Sequence, residues 1–217
     1  ELVAEKYKIS RQEQDQFAFE SHQKALAAMN AGYLESQIVP VEVPQKKGDP
    51  VVVRRDESPR ADTTPEALAK LRAPFKKDGT VTAGNAPGTN DGAAAVVVTS
   101  ERNTAKLGKT PLARIVAQSV SGIEPKWLLM APVEAVEKLL KKTGWDRDRD
   151  VDLYEMNEAF AVQALAVMRE LHLDPAKVNV NGGAVAIGHP IGASGARILV
   201  TLLYEMQRRN AHRGIAA

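Results

Sequence analysis

The sequence predicts an α/β fold of layered helices and sheet, and two observations carry that prediction. Apolar runs of strand length alternate with longer segments whose apolar residues recur at helical spacing. Residues that start and stop helices stand at the joins between those segments.

Taken in order, Glu1-Leu2-Val3-Ala4-Glu5 reads as helix already under way. Ser10 followed by Glu13 is a capping box that opens a second helix, with Phe19, Leu26, Met29 and Tyr33 at helical spacing and Gly32 near its end. Residues 38–43 alternate as a strand. Residues 44–74 form a polar excursion carrying Pro44, Pro50, Pro59 and Pro65, with a short strand at 51–53 and a short helix capped by Thr64. Ala94 to Val98 is a continuous apolar strand, and Ser100 caps a helix that ends at Gly108. Ala113 to Val120 is the next strand. Ala131-Pro132 opens a helix with Val133, Val136, Leu139 and Leu140 inward, stopped by Gly144. A strand at 152–156, a helix at 157–171, a strand at 178–180 and a helix through Ile198, Leu202 and Met206 complete the alternation. Gly214 to Ala217 reads as the beginning of a buried strand, so both ends predict a portion of something longer.

Composition narrows the function. The 217 residues are 44% hydrophobic, enough for a sizeable core. A net charge of +2 and 5% aromatic residues argue against nucleic-acid binding. The basic cluster of Arg208, Arg209, His212 and Arg213 reads as a solvated helix end. No cysteine occurs, which excludes disulfides and thiolate metal sites. His22, His172, His189 and His212 lack ligand spacing, so no metal site is expected. With no apolar run of membrane-spanning length and no leader-like start, the cytoplasm is the expected compartment.

Three motifs carry candidate chemistry. The first, Glu155-Met156-Asn157-Glu158-Ala159-Phe160-Ala161, sits at a strand-to-helix junction, where α/β proteins place their sites. Spacing alone favours a plainer role, with Asn157 capping the helix and Glu158 complementing its dipole. The second runs from Asn179 to Arg197 and holds His189 between Gly188 and Pro190 within a glycine-rich turn. It has neither the Gly-Lys-Ser/Thr ending of a phosphate loop nor dinucleotide-binding glycine spacing. Glycine density around one titratable ring favours a presented histidine able to donate to a developing oxyanion. The third, Val81 to Ala95, has Gly84, Gly88 and Gly92 among small and amide side chains. It fits a loop admitting a narrow ligand as well as it fits a tight structural turn.

In this order and spacing the three motifs, with Lys70-Leu71-Arg72, resemble the thiolase family nearly end to end. The resemblance implies a layered αβαβα fold in part: residues 1–79 as the remainder of a loop domain, 80–110 closing a first half, and 111–217 as a truncated second half. It implies an acyltransferase that condenses two acetyl-CoA to acetoacetyl-CoA and CoA, or runs the reverse thiolysis. Coenzyme A is then substrate and product, with no metal or redox cofactor. By the same resemblance His189 and Asn157 are catalytic, and Arg60, Phe75, Ala83 and Phe160 contact coenzyme A. His189 would donate to the thioester oxygen, and Asn157 would hold a water beside it. A homo-oligomer, dimer or tetramer, is implied, with neither nucleic acid nor membrane as partner. Two residues depart from the family pattern: Pro87 replaces a serine that bonds the pantetheine, and Thr89 replaces a common leucine. Both catalytic cysteines of the family would lie outside these residues. The alternatives are a degradative 3-ketoacyl-CoA thiolase and a cysteine-less subunit that only binds acyl-CoA.

Overall fold

A computed structural model describes residues 1–217. Helices α1 (Leu2–Tyr7) and α2 (Arg11–Asn30) come first. The capping box of α2 forms as predicted: Glu13 N donates to Ser10 Oγ, and Ser10 N donates to Glu13 Oε2 at 2.7 Å. The inward face of α2 differs from the predicted one. Ala18, Ser21, His22, Ala25 and Ala28 are buried, whereas Phe19, Leu26 and Met29 are only half-buried and Tyr33 is exposed. The reason is close backbone approach. A Cβ on Gly182, which has φ +76°, would lie 2.5 Å from Ser21 O and 2.8 Å from Ala25 N, so only small residues fit on that side of α2.

Strands β1 (Val41–Val43) and β2 (Val51–Val53) pair antiparallel, and every residue of both is exposed. Helix α3 (Pro65–Ala69) starts at Thr64 as predicted, with Ala67 N donating to Thr64 Oγ1 at 3.1 Å. Helix α4 (Glu101–Leu107) ends on left-handed Gly108, although Ser100 makes no side-chain cap bond. Helix α5 (Ala131–Thr143) buries Val136, half-buries Val133, Leu139 and Leu140, and stops at left-handed Gly144.

The core is built around β3 (Leu153–Glu155), which is buried along its length and parallel to β4 (Gly214–Ala216). Tyr154 also bridges to Val178, all that forms of the strand predicted at 178–180. Helix α6 (Ala161–Glu170) begins four residues later than predicted, with Phe160 at its cap. Val162, Ala166 and Val167 of α6 pack with Tyr154, Met156, Val178 and Ile215. Helices α7 (Ala184–Ile187) and α8 (Ser194–Arg209) follow, α8 lying on β3 and β4 through Ile198 and Leu202. No helix is long and apolar enough to cross a membrane.

The strands predicted at 94–98 and 113–120 do not form. Ladder hydrogen bonds need a second strand alongside, and only the pairs β1–β2 and β3–β4 exist. Residues 118–121 instead run along α5, where Ser119 and Ser121 hydroxyls donate to Ala135 O and Ala131 O. Val97, Val98, Ile115, Val116 and Val120 are left exposed, Val97 to 91%. So much apolar surface on unpaired extended backbone promotes association. Produced alone, these 217 residues are expected to scatter light with a mass above the 23.5 kDa monomer. A monodisperse monomer would contradict this.

Candidate active site

Glu158 is the centre from which the site is built. It is 1% exposed and accepts hydrogen bonds from Ser21 Oγ at 3.0 Å, Asn179 Nδ2 at 2.8 Å and Val185 N at 2.9 Å. The last of these satisfies a free amide in the first turn of α7. Ser21 Oγ also accepts from Gly183 N at 3.0 Å. Asn179 is equally fixed, its Oδ1 accepting from Met156 N at 2.7 Å and its Nδ2 donating to Met156 O. The Asn157 strand end is thereby tied to the turn that leads to His189. Neither Asn157 nor Glu158 plays the helix-start role that spacing alone favoured, because α6 begins at Ala161.

A second tie is the ion pair of Arg197 Nη1 with Glu155 Oε1 at 2.9 Å. Burial pushes the Glu155 carboxyl up to about 8, against the pull of Arg197. Nε and Nη2 of Arg197 are buried without a hydrogen-bond partner, as is Oδ1 of Asn157.

His189 lies just after α7, half-buried, at the foot of α8. Its Nδ1 is 2.6 Å from Ser194 Oγ, and its backbone N donates to Gly88 O at 3.1 Å. Burial, followed by the charge of Arg197, pushes the imidazole pKa below its ordinary value, which favours the neutral ring. Asn157 and His189 make no hydrogen bond to each other; the segments that carry them are joined through Glu155, Glu158 and Asn179.

The third motif completes the arrangement. A Cβ on Gly188 would collide with Asn90, and one on Gly92 would stand 2.7 Å from the Pro190 ring. At the other end of the motif, Asn85 O accepts from Ala161 N at 3.0 Å. The second and third motifs enclose an open cleft of about 430 Å³ lined by Asn90, Asp91, Gly92, Pro190, Ile191 and Ala196.

The residues expected to contact coenzyme A are less tightly gathered. Ala83 is exposed on the third motif, and half-buried Phe160 adjoins the Ala161–Asn85 bond. The Arg60 side chain is 72% exposed, on a segment held to the third motif by Asn90 Nδ2 donating to Ser58 Oγ at 3.2 Å. Phe75 projects into solvent, 69% exposed. Sequence reasoning missed the parts played by Ser21, Asn179, Ser194 and Arg197. Only Ser194 carried a local signal, a hydroxyl at a helix start.

Comparison with known proteins identifies the family. Residues 1–102 match the family model for the thiolase N-terminal domain, and residues 109–217 match that for the thiolase C-terminal domain. The chain is 56% identical over 216 residues to an acetyl-CoA acetyltransferase of Thiocystis violacea, covering all of this chain and 55% of the relative. The crystal structure of the Bacillus anthracis acetyl-CoA acetyltransferase superposes with a TM-score of 0.95 at 51% identity, over 99% of this chain and 54% of that one. Human mitochondrial 3-ketoacyl-CoA thiolase gives 0.89 at 49% identity, over 96% and 52%. The chain spans about half the length of these relatives. It has a partial thiolase fold of mixed helix and sheet, and it belongs to the thiolase family.

Proposed function

We propose that the chain is part of an acetyl-CoA C-acetyltransferase and supplies the groups that meet the thioester oxygen. The observation that carries this reading is that the first and third motifs are both hydrogen-bonded to the segment that carries His189. The names of the relatives support it at 51–56% identity.

In the proposed reaction a cysteine elsewhere in the protein takes an acetyl group from acetyl-CoA and releases CoA. A second cysteine removes an α-proton from another acetyl-CoA. The carbanion attacks the acyl carbon, and the first thiolate leaves with acetoacetyl-CoA formed. A thioester α-proton is removable only when fixed donors receive the charge that moves onto oxygen, at about 3 kcal/mol per donor. His189 is that donor. Asn157 acts through a water. Arg60, Phe75, Ala83 and Phe160 contact coenzyme A, which is substrate and product with no other cofactor. Residues 1–79, 80–110 and 111–217 serve as loop domain, end of the first half and second half. The whole protein is a cytoplasmic homo-oligomer, dimer or tetramer, of lipid metabolism.

Replacing Asn157 by alanine in the full protein tests this. The expected result is a roughly tenfold loss of kcat, milder than for a direct donor because solvent can partly substitute. The melting temperature should stay within a degree or two, because Asn157 caps no helix. Normal condensation of acetyl-CoA by the variant would refute its role.

A further inference from the structure

We propose that Ser194 is a positioning residue that selects the tautomer of His189, its hydroxyl donating to Nδ1 so that the ring carries its proton on Nε2. The inference rests on the acyltransferase reading for its purpose, and on hydrogen-bond accounting for its direction.

Ser194 Oγ has two acceptors within reach, His189 Nδ1 at 2.6 Å and Pro190 O at 3.1 Å. Pro190 O already receives Ala193 N at 2.7 Å and Ser194 N at 2.9 Å, which fill its two lone pairs. A third donor gains little there, and the hydroxyl proton goes to the shorter contact. Nδ1 accepts only when it bears no proton, so the neutral ring must hold its proton on Nε2. Ser194 is 5% exposed and sits in the first turn of α8, so water does not compete for the contact. Burial of the ring opposes a second proton, and the charge of Arg197, one turn further along α8, adds to that. The hydroxyl therefore places the proton, while burial and the guanidinium favour the neutral ring. A neutral Nε2–H donor suits an oxyanion that must be bound and then released without proton transfer.

The test uses the full protein with 15N-labelled histidine, the His189 signals being identified by their loss in His189→Ala. The wild type should show a bare Nδ1 and a protonated Nε2. In Ser194→Ala the Nδ1 signal should shift, and the acid limb of the pH–rate profile should move to higher pH, since a donor that opposed protonation of Nδ1 is gone. The same variant should lose about tenfold in kcat, the worth of one hydrogen bond, with KM changed less than about twofold. Ser194→Thr, which keeps the hydroxyl, should restore the spectrum and the rate. A wild-type ring protonated on Nδ1, or an Ser194→Ala spectrum identical to wild type, overturns the proposal. Absence of acetyltransferase activity in the wild type would overturn the functional reading, while the spectra would still decide this one.

Discussion

His189→Ala in the full protein is expected to lower kcat at least ~100-fold, the usual loss for one oxyanion donor, and to move KM far less. On the proposed reading, the interaction it removes strengthens as charge reaches the thioester oxygen, so it acts on the transition state more than on the bound substrate. Stability should barely change. The ring is half-buried and makes a single side-chain bond, to Ser194, so its removal costs little packing. Steady-state kinetics beside a melting curve read both quantities. A variant that melts far lower and keeps its kcat would show that the ring supports the fold and not the reaction.

Glu158 should give the opposite pattern. Glu158→Ala removes the shared acceptor of Ser21 Oγ, Asn179 Nδ2 and Val185 N, three donors left buried at about 1–3 kcal/mol each. A loss of at least ~3 kcal/mol is expected, seen as a lower denaturant midpoint at unchanged slope. Glu158→Gln is the sharper probe. Its amide oxygen can still accept from Ser21 and Val185, but its NH2 then faces the NH2 of Asn179. Asn179 cannot turn over to relieve this, because its own oxygen and nitrogen are engaged by Met156 N and Met156 O. About 1–3 kcal/mol should be lost with no change in side-chain volume. Wild-type stability in the glutamine variant would refute the assignment of these donors.

Much of the fold was legible locally because its signals are local. The Ser10–Glu13 box, Thr64 before Pro65, and glycines at 108 and 144 all act within a few residues of themselves, and each appears where the sequence placed it. The strands at 94–98 and 113–120 were read from apolar content, which measures a wish to be buried and not the presence of a neighbour to pair with. The face of α2 was misread for a related reason. Helical spacing ranks large side chains first, whereas contact with Gly182 selects small ones. At the site, the glycines around His189 drew attention to it directly. Glu158 looked like an ordinary first-turn acid because its partners are remote: Ser21 is 137 positions away, and Asn179 is 21.

That remoteness also has a consequence in time. Ser21 joins Glu158 across 137 positions and Gly183 across 162. During synthesis at about 5–20 residues per second, α2 therefore emerges on the order of ten seconds before the glycine turn it must clasp. The capping box of α2 lies within its own first turn, so that signal is complete before the turn emerges. The His189 turn has no such independence, since α7 is a single turn and donates a hydrogen bond at its start to Glu158. Its bonds to Ser21 and Glu158 can form only once the earliest and latest of these segments have met.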